Sequence, residues 1–146
     1  MGAQQNKLAL AISITSKAFE GVLDKSGKPY IMHCIRVMNH VNQNDEDLMI
    51  IAVMHDLLED VTTYTAIGLQ ELGFSERVIK ALLLLKHDPG VDYFEYIKQI
   101  ATNEDARLVK LSDLRDNSDI TRLKGLRKKD LDRIEQYHRA WIYLSN

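Results

Sequence analysis

The sequence predicts an all-α fold in a single domain, and three observations carry that expectation. Apolar residues recur at three- and four-residue steps along almost the whole chain. No segment alternates with period two for long enough to make a strand. Helix-capping residues, prolines and glycines stand where the periodic runs begin and end. A length of 146 residues fits one domain over 1–146, and 45% apolar with 27% charged residues is the balance of a chain that buries a core.

The elements follow in order. Leu8, Ala11, Ile12, Thr15, Phe19 and Val22 trace one face of a first helix that stops near Gly21. Asp24 to Pro29 is a turn, with Pro29 expected at the first position of a second helix carrying Ile31, Ile35, Val37, Met38 and Val41. Asp45 is the expected N-cap of a third helix, which the spacing carries through Leu48, Ile51, Ala52 and His55 as far as Asp60. Thr65 to Leu72 reads as a short helix closed by Gly73. Ser75 caps a strongly apolar helix through Leu85, expected to be buried on most sides, and Asp88-Pro89-Gly90 breaks it. Asp92 to Ala101 is amphipathic, and Asn103 caps a helix with Ala106, Val109, Leu111 and Leu114. Lys128 to Leu144 is the last helix, with Leu131, Ile134, Tyr137, Trp141 and Leu144 on one stripe expected in the core.

Composition also narrows the function. A formal net charge of −2 gives no overall basic field, so no nucleic-acid partner is expected. The single cysteine, Cys34, rules out an intramolecular disulfide and fits a reducing, cytoplasmic compartment. No apolar run approaches the roughly 20 residues of a membrane span, and no signal-peptide layout opens the sequence. Met1-Gly2 is followed by Asn6 where a myristoylation signal has Ser or Thr, so no lipid anchor is expected. A homo-oligomer is compatible with the sequence, which does not otherwise bear on assembly.

Chemistry concentrates in His55-Asp56-Leu57-Leu58-Glu59-Asp60. On a continuous helix Glu59 would neighbour His55 and Asp56, and Asp60 would neighbour Asp56. Three carboxylates beside a histidine at a core edge repel one another and call for a cation, a shared proton or water. Taken alone, such a group is most often a solvated acidic helix end. His87-Asp88 is a second such pair, but Pro89-Gly90 follows at once and it reads as a loop. Two further residues change the balance: His33 interrupts an apolar helix, and Asp113 interrupts Leu108 to Leu114. Two imidazoles and two carboxylates suit a divalent ion such as Mn²⁺, Fe²⁺ or Zn²⁺.

These segments resemble the ordered motifs of the HD-domain phosphohydrolases, and more closely the RelA/SpoT-type branch that includes small alarmone hydrolases. The resemblance rests on Lys25-Ser26-Gly27-Lys28-Pro29-Tyr30-Ile31-Met32-His33, on His55 to Asp60, and on Lys110-Leu111-Ser112-Asp113 with Asn117 four residues on. It covers the chain from about Ala9 to the final helix. It implies a compact multi-helix HD-domain bundle that hydrolyses a phosphorylated nucleotide, foremost a guanosine 3′,5′-bis(diphosphate) at its 3′ pyrophosphate. His33, His55, Asp56 and Asp113 would hold one divalent metal, commonly Mn²⁺. Glu59 and Asp60 would position and deprotonate water, and Lys25, Ser26 and Asn117 would face the nucleotide.

The chain also departs from that pattern. Phe19 and Val22 stand where the family commonly has His and Gln, and Cys34 where it usually has Pro. Asp24 stands where alarmone hydrolases often carry an Arg against the guanine base, and Leu114 replaces the Arg of an Asp-Arg pair. Another phosphorylated nucleotide, or a degenerate domain that binds a nucleotide without turnover, are the alternatives. Arg122, Lys124, Arg127, Lys128 and Lys129 form a basic stretch that reads mainly as a solvated connection, with Arg122 the residue expected to meet phosphate. His40 and His138 are expected at the surface, and Tyr137 and Trp141 in the core.

Overall fold

The computed structural model describes residues 6–146; the Met1-Gly2 start lies outside the described residues. Its helices are α1 (Lys7–Ala18), α2 (Ile31–Asn39), α3 (Glu46–Val53), α4 (Leu57–Asp60), α5 (Ala66–Glu71), α6 (Glu76–Leu85), α7 (Tyr93–Ile100), α8 (Glu104–Asn117) and α9 (Lys128–Ser145), with one 3₁₀ turn at Ile120–Arg122. Among the described residues there is no strand, and an isolated antiparallel bridge joins Leu23 to Pro29. The all-α expectation holds in one helical domain.

Capping side chains define most of the helix starts. Asp45 accepts from the Leu48 amide, Thr65 from Gly68, Ser75 from Val78, Asp92 from Phe94 and Glu95, and Asn103 from Ala106, each satisfying donors that the first helical turn leaves free. Gly73 follows α5 at φ +95, a conformation that side-chain-bearing residues rarely adopt.

Helix α3 lies at the centre, packed against α1, α2, α6 and α8. Ile50, Ile51, Ala52 and Val53 are buried along it, and Met54 and Leu57, which follow it in the chain, are fully buried as well. Truncating Leu57 to Ala there would cost about 2–5 kcal/mol, through lost transfer energy and the cavity left behind. Helices α2 and α8, which carry His33 and Asp113, pack on each other as well as on α3. The core therefore brings three distant sequence segments to one point.

The structure corrects several sequence expectations. The third helix does not run to Asp60: it ends at Val53, and a separate turn, α4, starts at Leu57. His55 causes the break, because its Nδ1 donates to the Ala52 carbonyl at 2.7 Å, and its own amide reaches the same oxygen at 3.4 Å. That carbonyl would otherwise take the Asp56 amide, so a side chain competes with the helix ladder. Pro29 lies outside α2, held by the Leu23 bridge, and its carbonyl accepts from Met32. Val22 falls after the end of α1 and is 43% exposed, and Leu131 at the start of α9 is 53% exposed. In α6 Leu83 turns to solvent while Ala81, Leu82 and Leu85 are buried. His40 and His138 are exposed, and Trp141 packs half-buried against the core.

Candidate metal centre and adjoining cavity

The break after α3 gives the site its geometry. On one continuous helix His55 and Asp56 would diverge by about 100°; in the turn between α3 and α4 their side chains converge. His33 of α2, His55 and Asp56 of the turn, and Asp113 of α8 each offer one ligand atom, and these atoms all lie within 4.8 Å of one another. His33 Nε2 is 3.0 Å from Asp113 Oδ1, and His55 Nε2 is 3.0 Å from Asp56 Oδ2 and 3.2 Å from Asp113 Oδ1. The two Nε2 atoms are 3.3 Å apart.

The outer nitrogens decide what those inner atoms are. His33 Nδ1 donates to Asp116 Oδ2 at 2.6 Å, and His55 Nδ1 donates to the Ala52 carbonyl at 2.7 Å. Each neutral ring then carries its lone pair on Nε2, the tautomer that such outer hydrogen bonds enforce in metal sites. Two lone pairs and two carboxylate oxygens consequently face one another in a buried space. That donor set fits a divalent cation.

Without a cation, protons take its place. Burial pulls the His33 imidazole down, but its hydrogen bonds to Asp113 and Asp116 leave it above its ordinary value. His55 is fully enclosed, yet the Asp56 and Asp113 charges hold it well above the usual imidazole range. Burial pushes Asp113 up, but Lys110 and His55 keep it well below the usual carboxylate range. Asp56 is also lowered, with burial outweighed by His55.

A second layer of side chains fixes the ligands. Lys110 Nζ donates to Asp113 Oδ2 at 2.9 Å and lies 5.2 Å from the centre of the Tyr96 ring. Asn117 Nδ2 donates to Asp113 Oδ1 at 3.0 Å, and the Tyr30 hydroxyl donates to Asp56 Oδ2. Asp116 is itself gripped by Arg36, whose Nε is 2.7 Å from Oδ1, and by Arg122, which donates to the Asp116 carbonyl at 2.6 Å. Burial raises the Asp116 carboxyl, but His33 and Arg36 bring it far below its ordinary value. Sequence reasoning missed Asp116, Arg36 and Tyr30 as site residues. The available signal was spacing: Asp116 lies three residues after Asp113 and Arg36 three after His33, so each shares its ligand's helix face.

A cavity of about 530 Å³ adjoins the cluster, with His33, Tyr30, Arg36 and Asp116 in its wall. Of the other residues expected at the site, Asp60, Lys25, Ser26, Asn117 and Arg122 line it. Phe19, Val22, Leu23, Ile134 and Tyr137 supply an apolar side, with the Phe19 and Tyr30 rings 5.0 Å apart. Tyr137, expected only in the core, packs on the core and also faces this cavity.

The two acids after the His-Asp pair part company. The Asp60 carboxyl is pushed up to about 6 by burial and by the charges of Asp56 and Glu59. Glu59 is not in the cavity wall; its Oε1 accepts from the His87 backbone amide at 2.7 Å. His87 belongs to a loop, as its sequence suggested, but its ring stacks on Tyr96 at 4.5 Å and donates from Nε2 to the Val91 carbonyl. Cys34 is fully buried, with burial pushing its thiol up to about 12, so it packs as a small hydrophobe.

Asp24 is held within its own turn. Its Oδ1 accepts from the Ser26 amide at 2.9 Å, the Ser26 hydroxyl at 2.7 Å and the Lys28 amide at 2.9 Å. Burial pushes its carboxyl up, but the Ser26 hydroxyl and the two amides leave it below the ordinary value. It shapes the loop that presents Lys25 and Ser26.

No family model matches the chain. A curated relative, the guanosine-3′,5′-bis(diphosphate) 3′-pyrophosphohydrolase of Aquifex aeolicus, is 37% identical over 106 residues. That alignment takes in 64% of this chain and 14% of the relative, so the chain spans a small part of the protein it matches. The name of that relative is that of a hydrolase, and the His/Asp cluster of this chain could hold a divalent metal ion.

Proposed function

We propose that this chain is a metal-dependent phosphohydrolase of the HD type acting on a phosphorylated nucleotide. Guanosine 3′,5′-bis(diphosphate), cleaved at its 3′ pyrophosphate, is the leading substrate and Mn²⁺ the leading ion. The observation that carries the reading is the convergence of His33, His55, Asp56 and Asp113, with both outer imidazole nitrogens engaged and the group set beside the cavity. The named activity of the Aquifex relative supports the substrate class.

A divalent ion held there would make water more acidic and offset charge developing on the phosphoryl oxygens. The chain's own residues supply the rest. Asp60, in the cavity wall and with its carboxyl pushed up to about 6, takes a proton from the attacking water. Glu59 lies beside it in sequence and raises its basicity by charge. Water oxygen bonds to phosphorus, the bond from phosphorus to the ribose 3′ oxygen breaks, and the departing oxygen keeps the electron pair and gains a proton. Lys25, Ser26, Asn117 and Arg122 orient the nucleotide, and the Phe19 and Tyr137 side of the cavity accepts a base. Arg36 lies in the same wall and joins the groups that neutralise phosphate charge.

One observation favours a second reading on substrate. Asp24 is committed to its turn, so the position offers neither a guanidinium nor a stacking surface to a guanine base. Another phosphorylated nucleotide then becomes the substrate of the same machinery. Metal-loaded protein screened against guanine polyphosphates and other nucleotides, with products identified, separates the two. Pyrophosphate released from the guanosine bis(diphosphate) far faster than from other nucleotides supports the leading reading. Equal or slower release overturns it in favour of the second.

A further inference from the structure

Glu59 and Asp60 share the single turn α4, yet Asp60 lines the cavity and Glu59 does not. Asp56, which precedes that turn, makes no side-chain cap to it. A turn of four residues has too few hydrogen bonds of its own to persist unsupported. Its own ladder is short: the Asp60 amide donates to the Asp56 carbonyl and the Val61 amide to the Leu57 carbonyl, each at 3.0 Å. Leu57 and Leu58 are buried on its inner side. On its outer side, Glu59 Oε1 accepts from the His87 backbone amide at 2.7 Å and ties the turn to the loop between α6 and α7.

Several contacts fix that loop. His87 donates from Nε2 to the Val91 carbonyl at 2.6 Å, and the Val91 amide reaches back to the Asp88 carbonyl at 3.3 Å. Gly90 between them stands at φ +84, a conformation that favours glycine. The His87 ring stacks on Tyr96 with centroids 4.5 Å apart and planes 18° from parallel, and Tyr93 meets the same ring edge-on at 6.1 Å. Tyr96 is buried, and its hydroxyl donates to the Leu85 carbonyl at 2.7 Å. The Lys110 ammonium lies 5.2 Å from the centre of the Tyr96 ring and donates to Asp113 at 2.9 Å. One aromatic side chain thus supports Asp113 through Lys110 and the Glu59 turn through His87.

We propose that Glu59 is a positioning residue: through the His87 amide it fixes α4 so that Asp60 faces the cavity, with the stack of His87 on Tyr96 as the anchor. The inference rests on the reading of Asp60 as the base. It departs from the resemblance, under which Glu59 and Asp60 would both handle the water. The two roles differ in what they ask of position 59. Accepting from a main-chain amide needs only an oxygen there, which a Gln side chain also offers. Taking a proton from water needs the carboxylate itself.

The test compares Glu59→Ala and Glu59→Gln in the full chain. Amide hydrogen exchange followed by NMR on metal-free protein reads the contact without any turnover. Exchange at His87, Asp60 and Val61 should quicken about tenfold or more in Glu59→Ala and about threefold or less in Glu59→Gln. The Mn²⁺-loaded variants are then assayed on guanosine 3′,5′-bis(diphosphate) near about pH 8, where Asp60 is ionised throughout. There kcat should fall about tenfold or more in Glu59→Ala and about threefold or less in Glu59→Gln, with KM moving little in either. His87→Ala removes the stack and keeps the amide. It should lower kcat as well, and Glu59→Ala/His87→Ala should lose less than the product of the single effects, because both act through one contact. A Gln variant that loses as much kcat as the Ala variant while its His87 amide stays protected overturns the proposal, since Glu59 then acts on the water. Exchange unchanged in Glu59→Ala overturns it too. If the wild-type chain turns nothing over, the hydrolase reading fails alone: quickened exchange at Asp60 and Val61 in Glu59→Ala still supports the positioning of α4, and unchanged exchange still overturns it.

Discussion

Two clusters of charge in this molecule are built on opposite plans. At the surface, Arg77 donates to both oxygens of Asp45 and both of Asp105, so one cation is enclosed by its counter-charges. In the interior, His33, His55, Asp56 and Asp113 turn four acceptor atoms toward one another. The first cluster ties the start of α3 to α6 and α8, and its carboxylate oxygens converge on a cation that the chain itself supplies. The four acceptor atoms of the second call for a bound cation or extra protons. A closed network holds a structure together; an open one of this kind could hold a metal ion.

The largest expected effects come from opening the interior cluster further. His55→Ala and Asp113→Ala should each abolish metal-dependent hydrolysis and lower affinity for Mn²⁺ by at least about 100-fold. For wild-type protein, ion at about 100 times its dissociation constant adds about 2.7 kcal/mol of stability, a rise in Tm of roughly 5–10 °C. Neither variant should show that rise.

Asp60→Asn should retain the metal and lose about 10²–10⁴ in kcat. In wild type, the Asp60 carboxyl stands at about 6 in the absence of metal, and a base must be ionised to act. Rates should therefore fall as pH drops through and below that region, with a bound cation moving the limb to lower pH. A kcat unchanged in the variant would remove Asp60 from the chemistry.

Asp116→Asn tests whether the second layer matters. It should weaken metal binding about 10–100-fold without abolishing it, because His33 loses the carboxylate that orients its ring. A metal titration beside wild type reads this directly.

Arg77→Ala should have the smallest effect, about 0.5–2 kcal/mol of stability after screening at a partly exposed site, with metal affinity unchanged. Its pH signature has a definite sign. The hydrogen bond to Arg77 holds Asp45 below its ordinary value, outweighing burial. The stabilisation is present above the unfolded carboxylate value near 4 and is lost as pH falls through the lower folded value. Urea unfolding of wild type and variant at neutral pH and below about pH 3 should show the gap closing in acid.

Most of the fold was legible in the sequence because it depends on local signals. Asp45, Ser75 and Asn103 cap as predicted, Thr65 and Asp92, expected as helix starts, cap theirs as well, and the apolar periodicity located the core helices. The interruption of α3 was not legible, because it comes from the His55 side chain taking its own helix's carbonyl. The same bond sets the His55 tautomer, so the missed break and the metal geometry share one cause. His33, His55, Asp56 and Asp113 stood out as polar interruptions in apolar helices. Asp116 and Arg36 did not, since a charged residue near a helix end looks like any solvated position until its partner across the fold is known. Asp24 looked like a hostile charge beside a nucleotide, and only its three hydrogen bonds reveal it as a turn former.

The central claim is that the interior cluster is completed by a divalent cation. Calorimetric titration of metal-stripped protein with Mn²⁺, repeated at rising pH, tests it most directly. One ion per chain is predicted, with affinity increasing through the range above pH 6.5 as protons leave His33 and His55, and with no binding in His55→Ala. Absence of binding at every pH, or binding retained in His55→Ala, would contradict the account.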